Sequence, residues 1–200
     1  MIIGKWNGSV ALTYLGVAAA CFGIASCSAG NNDIACVCLM IAGICDLFDG
    51  YVARAMKRTE DEKEFGIELD SLADVISFVA LPVMIVLSYG FSWFNILASI
   101  AFCICGVARL AFFNKDAKKK DGAVKFYHGL PVTFTALILP VGYVFARSFE
   151  MANMKDFLSI IIAIIAFLNI YDFKIPKPRG IAYGVFCGIA LALITLLIAL

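Results

Sequence analysis

Seven apolar stretches run along the chain at about 9–29, 33–53, 66–89, 92–113, 127–147, 155–172 and 180–199. Most approach the roughly 20 residues that a helix needs to cross the hydrocarbon core of a bilayer. Short polar connections separate them. Ser-Ala-Gly-Asn-Asn-Asp joins the first pair, and Ser-Tyr-Gly-Phe-Ser-Trp predicts a tight turn between the third and fourth. No internal repeat and no low-complexity linker interrupts the series. The pattern predicts an all-α, polytopic membrane bundle in one domain, 1–200. Small residues in the first stretch (Gly16, Ala18, Ala19, Ala20, Gly23) predict close helix packing. Pro131 and Pro140 fall in the fifth stretch, where they predict kinks that widen a groove.

Composition strengthens this reading. Hydrophobic residues make up 62% of the chain and mean hydropathy is +0.94, against about 45–50% apolar residues in soluble domains. A net charge of +1 gives no basic footprint for nucleic acid. The eight cysteines lie in or beside apolar runs and read as small packing residues, not as zinc ligands or a disulfide framework. Ile24-Ala-Ser-Cys27 resembles a lipoprotein cleavage box, but the long run around it and the membrane-like chain after it favour a retained span.

Charge placement gives an orientation. With the N-terminus inside, fourteen of the sixteen lysines and arginines fall on the cytoplasmic side, and only Arg147 and Lys155 fall outside. That bias is the positive-inside pattern. The connections at 54–65 and 115–125 then face the cytoplasm, and the lysines of the second would attract anionic headgroups or simply mark the inner side.

Four acids stand out against this background. Asp46 and Asp49 lie near the cytoplasmic end of the second span, Asp70 and Asp74 near the cytoplasmic start of the third. At about 100° per residue, Asp46, Asp49, Gly50 and Ala53 share one arc of their helix, and Gly66, Asp70, Asp74 and Ser77 share one arc of theirs. Two acidic stripes can therefore face each other across a groove. Ionisable groups within spans cost on the order of 2.5–3.5 kcal/mol each by insertion scales, so positive charge is needed among them. Hard carboxylate oxygens suit Mg²⁺, Mn²⁺ or Ca²⁺, and four could hold two ions in the arrangement that clamps phosphate esters. Gly50, Ala53 and Gly66 leave the groove wall bare, and Arg54 offers a fork for phosphate oxygens at the rim.

These residues resemble the signature of the CDP-alcohol phosphatidyltransferase family, D-x-x-D-G-x-x-A-R followed by G-x-x-x-D-x-x-x-D. The chain reads Asp46-Leu-Phe-Asp49-Gly50-Tyr-Val-Ala53-Arg54, then Gly66-Ile-Glu-Leu-Asp70-Ser-Leu-Ala-Asp74. All eight fixed positions match, with eleven residues between Arg54 and Gly66, a few more than is usual in the family. Stretches 65–82, 108–114 and 126–132 are similar to the phosphatidylserine synthase branch, although Phe112 stands where the branch motif has a second arginine. The resemblance covers about 8–145, and the last two apolar segments carry no motif of the family.

The resemblance implies a six-helix catalytic core and transfer of a phosphatidyl-type group from a CDP-linked lipid to L-serine, with release of CMP. It implies that Asp46, Asp49 and Asp70 hold metal, that Asp74 shares the metal site and acts as general base, and that Asp49, Gly50, Ala53, Arg54 and Gly66 line the CDP pocket. Arg109, with Asn114 nearby, is the candidate for the serine carboxylate. His128, the only histidine, could touch a substrate but reads more readily as structural. The family commonly forms homodimers. Two other readings stay open: the same chemistry with glycerol phosphate or inositol phosphate as acceptor, and a divalent-cation carrier.

Overall fold

The structure, a computed structural model, describes residues 4–119, 126–176 and 181–199. It is an all-α bundle. Helices α1 (Ala11–Ser28) and α2 (Asn32–Ala55) form an antiparallel pair. A second rod consists of α3 (Glu60–Asp74), six residues of wider π-type turn (Val75–Ala80) and α4 (Leu81–Leu87). Then come α5 (Trp93–Lys119), α6 (Thr135–Ser148), α7 (Met154–Ile170) and α8 (Ile181–Ala199). Four rods, 8–28, 32–55, 60–87 and 93–115, are long and apolar enough to cross a membrane. The chain is thus a polytopic membrane protein, with shorter apolar helices over 132–148 and 183–199 among the described residues. Residues 120–125, in the lysine-rich connection, lie outside the described residues.

The first span packs as its small residues predict. Gly16, Ala20 and Gly23 are buried, whereas Ala18 is exposed. A Cβ on Gly23 would lie 2.9 Å from the Cys38 Cβ, so α1 and α2 approach closely because no side chain intervenes. Cys27, Cys36, Cys38 and Cys45 are buried in this contact region. Farther along α2, a Cβ on Gly43 would lie 2.7 Å from the Ala136 Cβ, which marks a second close crossing, with α6.

Local chemistry fixes where the third rod begins. Thr59 caps α3 in a reciprocal box: its side chain accepts from the Glu62 backbone N–H, and the Glu62 carboxylate accepts from the Thr59 N–H. This Thr-x-x-Glu spacing satisfies two otherwise orphaned donors. Asn7 and Lys5 strap the N-terminal segment to the same turn, through Glu62 at 2.9 Å and Asp61 at 2.5 Å. The π-type turn follows Asp74 and precedes Pro82. Proline lacks the N–H that would bond back to residue 78, and its ring crowds that carbonyl. The chain responds by widening, with the Leu81 N–H reaching back to the Ile76 carbonyl. The arc expected to run from Gly66 through Ser77 is therefore regular only as far as Asp74.

The fifth apolar stretch departs from its expected bounds. Residues 126–128 form a short strand, β1 (Phe126–His128), paired antiparallel with β2 (Lys174–Pro176). Pro131 is extended and precedes the helix, so it kinks nothing, and only Pro140 lies inside α6. The loop between them sits on the end of α7. The Gly129 N–H donates to the Phe173 carbonyl and the Leu130 N–H to the Leu168 carbonyl, both at 2.9 Å. His128 pairs with Asp172 at 2.8 Å, a structural role at this junction. Gly129 has φ +71, and a Cβ there would lie 2.8 Å from the Asn169 carbonyl oxygen.

The opposite end of the bundle has its own polar lock. Asp33 at the start of α2 accepts from Tyr143 at 2.7 Å and forms an ion pair with Arg147, both on α6. The Gly129 contacts lead to a stability prediction. Gly129→Ala should lower thermal stability in detergent by more than the roughly 1–3 kcal/mol typical of backbone strain, because carbonyl oxygens crowd the new methyl. Gly90→Ala, also at positive φ (+101) but with open space around it, should cost less. Equal losses of melting temperature would show that loop packing is not the cause.

Candidate functional site

Asp46 and Asp49 stand on the last turns of α2, and Asp70 and Asp74 on the last turns of α3. The antiparallel course of the two helices brings all four to one end of the bundle. Ligand oxygens of Asp46, Asp49 and Asp70 lie within 4.8 Å of one another. Asp74 stands outside that trio but lines the same cavity. Asp49 and Asp74 are each 9% exposed. Carboxylates this close together, with two of the four largely desolvated, need shared protons or cations to coexist.

A cavity of about 460 Å³ opens beside them and includes all four aspartates, Gly50, Arg54 and Arg109 in its lining. Its remaining wall is mostly apolar, from α2, from α5, from the loop and start of α6, and from α8. Polar chemistry is thus concentrated in the aspartates and two arginines of an otherwise largely apolar chamber.

Arg54 folds back along α2. Its Nη1 lies 3.2 Å from where a Cβ on Gly50 would be, so glycine at 50 leaves room for the guanidinium beside Asp49. Ala53 and Gly66 do not line the cavity. The bare side of Gly66 faces Arg58, whose Nη1 lies 3.5 Å from a virtual Cβ. The structure thus joins Gly50 and Arg54 to the aspartates and leaves the other two small residues at the periphery.

Arg109 is 7% exposed. Its Nε donates to the Leu130 carbonyl at 3.1 Å, and its guanidinium lies over the Phe113 ring at 5.2 Å. It lines the same cavity as Asp74. Asn114 does not line the cavity. It donates to the Ser71 hydroxyl at 2.7 Å and so ties α5 to α3 beside the aspartates.

Sequence reading missed Thr13. Its hydroxyl donates to the Asp49 carboxylate at 3.0 Å, which makes α1 a support of the site. A hydroxyl near the start of the first span was the available signal. It also missed the aromatic wall formed by Phe134, Tyr183 and Phe186, which no motif marks.

Comparison with known proteins agrees with this geometry. Residues 6–171 match the family model described as CDP-alcohol phosphatidyltransferase. A CDP-diacylglycerol–serine O-phosphatidyltransferase of Methanocaldococcus jannaschii is 37% identical over 72% of this chain and 64% of its own length. An archaetidylserine synthase of Methanothermobacter thermautotrophicus is 34% identical over 75% of this chain and 60% of its own. The Saccharomyces cerevisiae CDP-diacylglycerol–serine O-phosphatidyltransferase is 37% identical over 58% of this chain and 44% of its own. The chain therefore spans less than two thirds of the length of these relatives. The matched residues contain all four aspartates, and the chain belongs to the CDP-alcohol phosphatidyltransferase family.

Proposed function

We propose that this protein transfers a phosphatidyl-type group from a CDP-linked lipid to the hydroxyl of L-serine and releases CMP. The observation that carries the proposal is the meeting of four signature aspartates with Arg54 and Arg109 in one cavity. The names of the relatives favour serine as acceptor. Glycerol phosphate or inositol phosphate would need the same phosphoryl chemistry. A cation carrier would account for the acids but not for two arginines placed beside them. The charge bias supports a cavity on the cytoplasmic side of the cell membrane with the N-terminus inside. From the family resemblance, the working unit is a homodimer.

The donor set fits divalent cations. Three carboxylate oxygens within 4.8 Å of one another, with a fourth carboxyl adjoining, offer hard ligands for two Mg²⁺ or Mn²⁺ ions, or Ca²⁺. Asp46, Asp49 and Asp70 would hold them with Asp74 sharing the site. Bound there, such ions supply positive charge to the pyrophosphate and to the departing CMP.

The chain's own residues do the rest. Thr13 orients the Asp49 carboxylate. Arg54 and the bare flank of Gly50 accept the pyrophosphate and nucleotide, while Ala53 and Gly66 shape the approach. Asp74 takes the proton of the serine hydroxyl as that oxygen bonds to the lipid-side phosphorus and the bond from phosphorus to the CMP oxygen breaks. Arg109 supplies the cation for the serine carboxylate, its direction fixed by Leu130 and Phe113. Asn114 serves the acceptor end indirectly by holding α5 against α3.

The deciding experiment is CMP release by purified protein from a CDP-linked lipid, with serine, glycerol phosphate or inositol phosphate, each with and without divalent metal. Release that needs both serine and metal is expected. Release with another alcohol instead would displace the acceptor assignment, and metal uptake into vesicles without CMP release would sink the transferase.

Three variants probe individual roles. Crowded carboxylates repel by on the order of 3 kcal/mol per pair at an effective dielectric near 20. Asp70→Asn should therefore raise the melting temperature in chelator at pH 8 and lose that advantage when divalent metal is added; a lowered melting temperature in both conditions would contradict the crowding. Asp74→Asn should cut turnover by about 10²–10⁴ with CDP-lipid binding within a few-fold of wild type. Near-normal turnover would remove Asp74 as the base. Arg109→Ala should raise the serine KM about tenfold or more, consistent with a charge-assisted bond of roughly 1.5–3 kcal/mol, while the donor KM changes little. Parallel rises in both would assign Arg109 a structural role.

A further inference from the structure

Helix α8 begins after the family-matched residues end at 171, yet it supplies part of the catalytic cavity. Tyr183, Phe186 and Ala190 line it, at helical spacings of three and four residues that give one face. Phe186 meets Phe134 of the α6 approach edge to face at 5.2 Å, and Ala190 is 6% exposed. The other face of α8 is apolar and exposed, with Ile181, Val185, Ile189 and Leu196 at its surface. In a bilayer that face meets lipid. One helix therefore separates the headgroup chamber from the surrounding hydrocarbon.

Another part of the lining leaves little freedom. The crossing of α2 and α6 at Gly43 and Ala136 admits no added atom, and both residues line the chamber. The chains of a CDP-linked lipid, tethered by their headgroup at the aspartates, must leave past side chains. Those of α8 and its partner Phe134 form the wall that side-chain size can adjust. We infer that α8 is the specificity wall for the donor lipid, and that the bulk at positions 186 and 190 sets the width available to the chain next to the headgroup. Methyl-branched isoprenoid chains are wider than straight acyl chains, so these two positions discriminate between the donor classes. This inference rests on the transferase reading above.

The test measures kcat/KM of full-length protein for CDP-diacylglycerol with straight acyl chains and for a CDP-linked lipid with branched isoprenoid ether chains. One or two carbons in an apolar pocket are worth roughly 10–200-fold. Phe186→Ala should raise the branched-to-straight ratio by about tenfold, and Ala190→Phe should lower it by a similar factor. The serine KM should stay within about twofold in both. Ile189→Ala, on the lipid-facing side, should leave the ratio unchanged. If Phe186→Ala does not fold, Phe186→Leu should give a smaller shift in the same direction. An unchanged ratio in both wall variants overturns the inference, as does a serine KM that moves as far as the donor term. A shift from Ile189→Ala as large as those of the wall variants does so too. If wild-type protein releases no CMP with serine, the functional reading fails separately. The same donor ratio, then read as thermal stabilisation by each CDP-lipid, still decides the role of α8.

Discussion

Mutual repulsion among four carboxylates is the constraint around which this end of the molecule is built. Like charges a few ångströms apart, away from bulk water, are tolerated only when protons or cations neutralise them. The fold accepts that cost and surrounds the cluster with directed help. Thr13 donates to Asp49, Arg54 folds back over Gly50, and Arg109 joins Asp74 in the cavity lining. Each helper comes from a different position in the chain. The site therefore needs α1, α2, α3 and α5 in register, although the signature itself occupies only α2 and α3.

That register is secured by polar contacts at the bundle ends. The Thr59 box and the Asn7–Glu62 bond fix the turn that joins the two signature helices. The paired strands and the Gly129 loop bind the start of α6 to the end of α7. Because Leu130 of that loop holds the Arg109 side chain, α7 reaches the active end without contributing a cavity residue. At the other end Asp33, Tyr143 and Arg147 join α2 to α6. Between the ends, small residues let the rods pack by close backbone approach.

Much of this was legible in the sequence because the governing physics is local. Apolar runs of membrane length gave the seven segments, and helical spacing placed each aspartate pair on one face. Elements that depend on partners distant in the chain were not legible. Residues 126–128 form a strand only because 174–176 lie alongside, and Pro131 ends a loop whose anchor is on α7. The π-type turn depends on how the chain before Pro82 relieves a missing donor, and periodicity assumed a uniform helix there. Ala53 and Gly66 shared the expected arcs, but arcs give direction and not distance, and both fell outside the cavity. Thr13 and the aromatic residues of α8 carry no motif, so only three-dimensional proximity brings them in.

The close crossing of Gly43 and Ala136 has an evolutionary corollary. Where a glycine already meets a neighbouring methyl group, a single substitution can hardly fill the chamber without parting the helices. Descendants adapting to a membrane of different chemistry would therefore keep that junction and diversify the last helix. Sequence drift around the chamber should be lopsided, with the junction nearly frozen and the last helix freely rewritten.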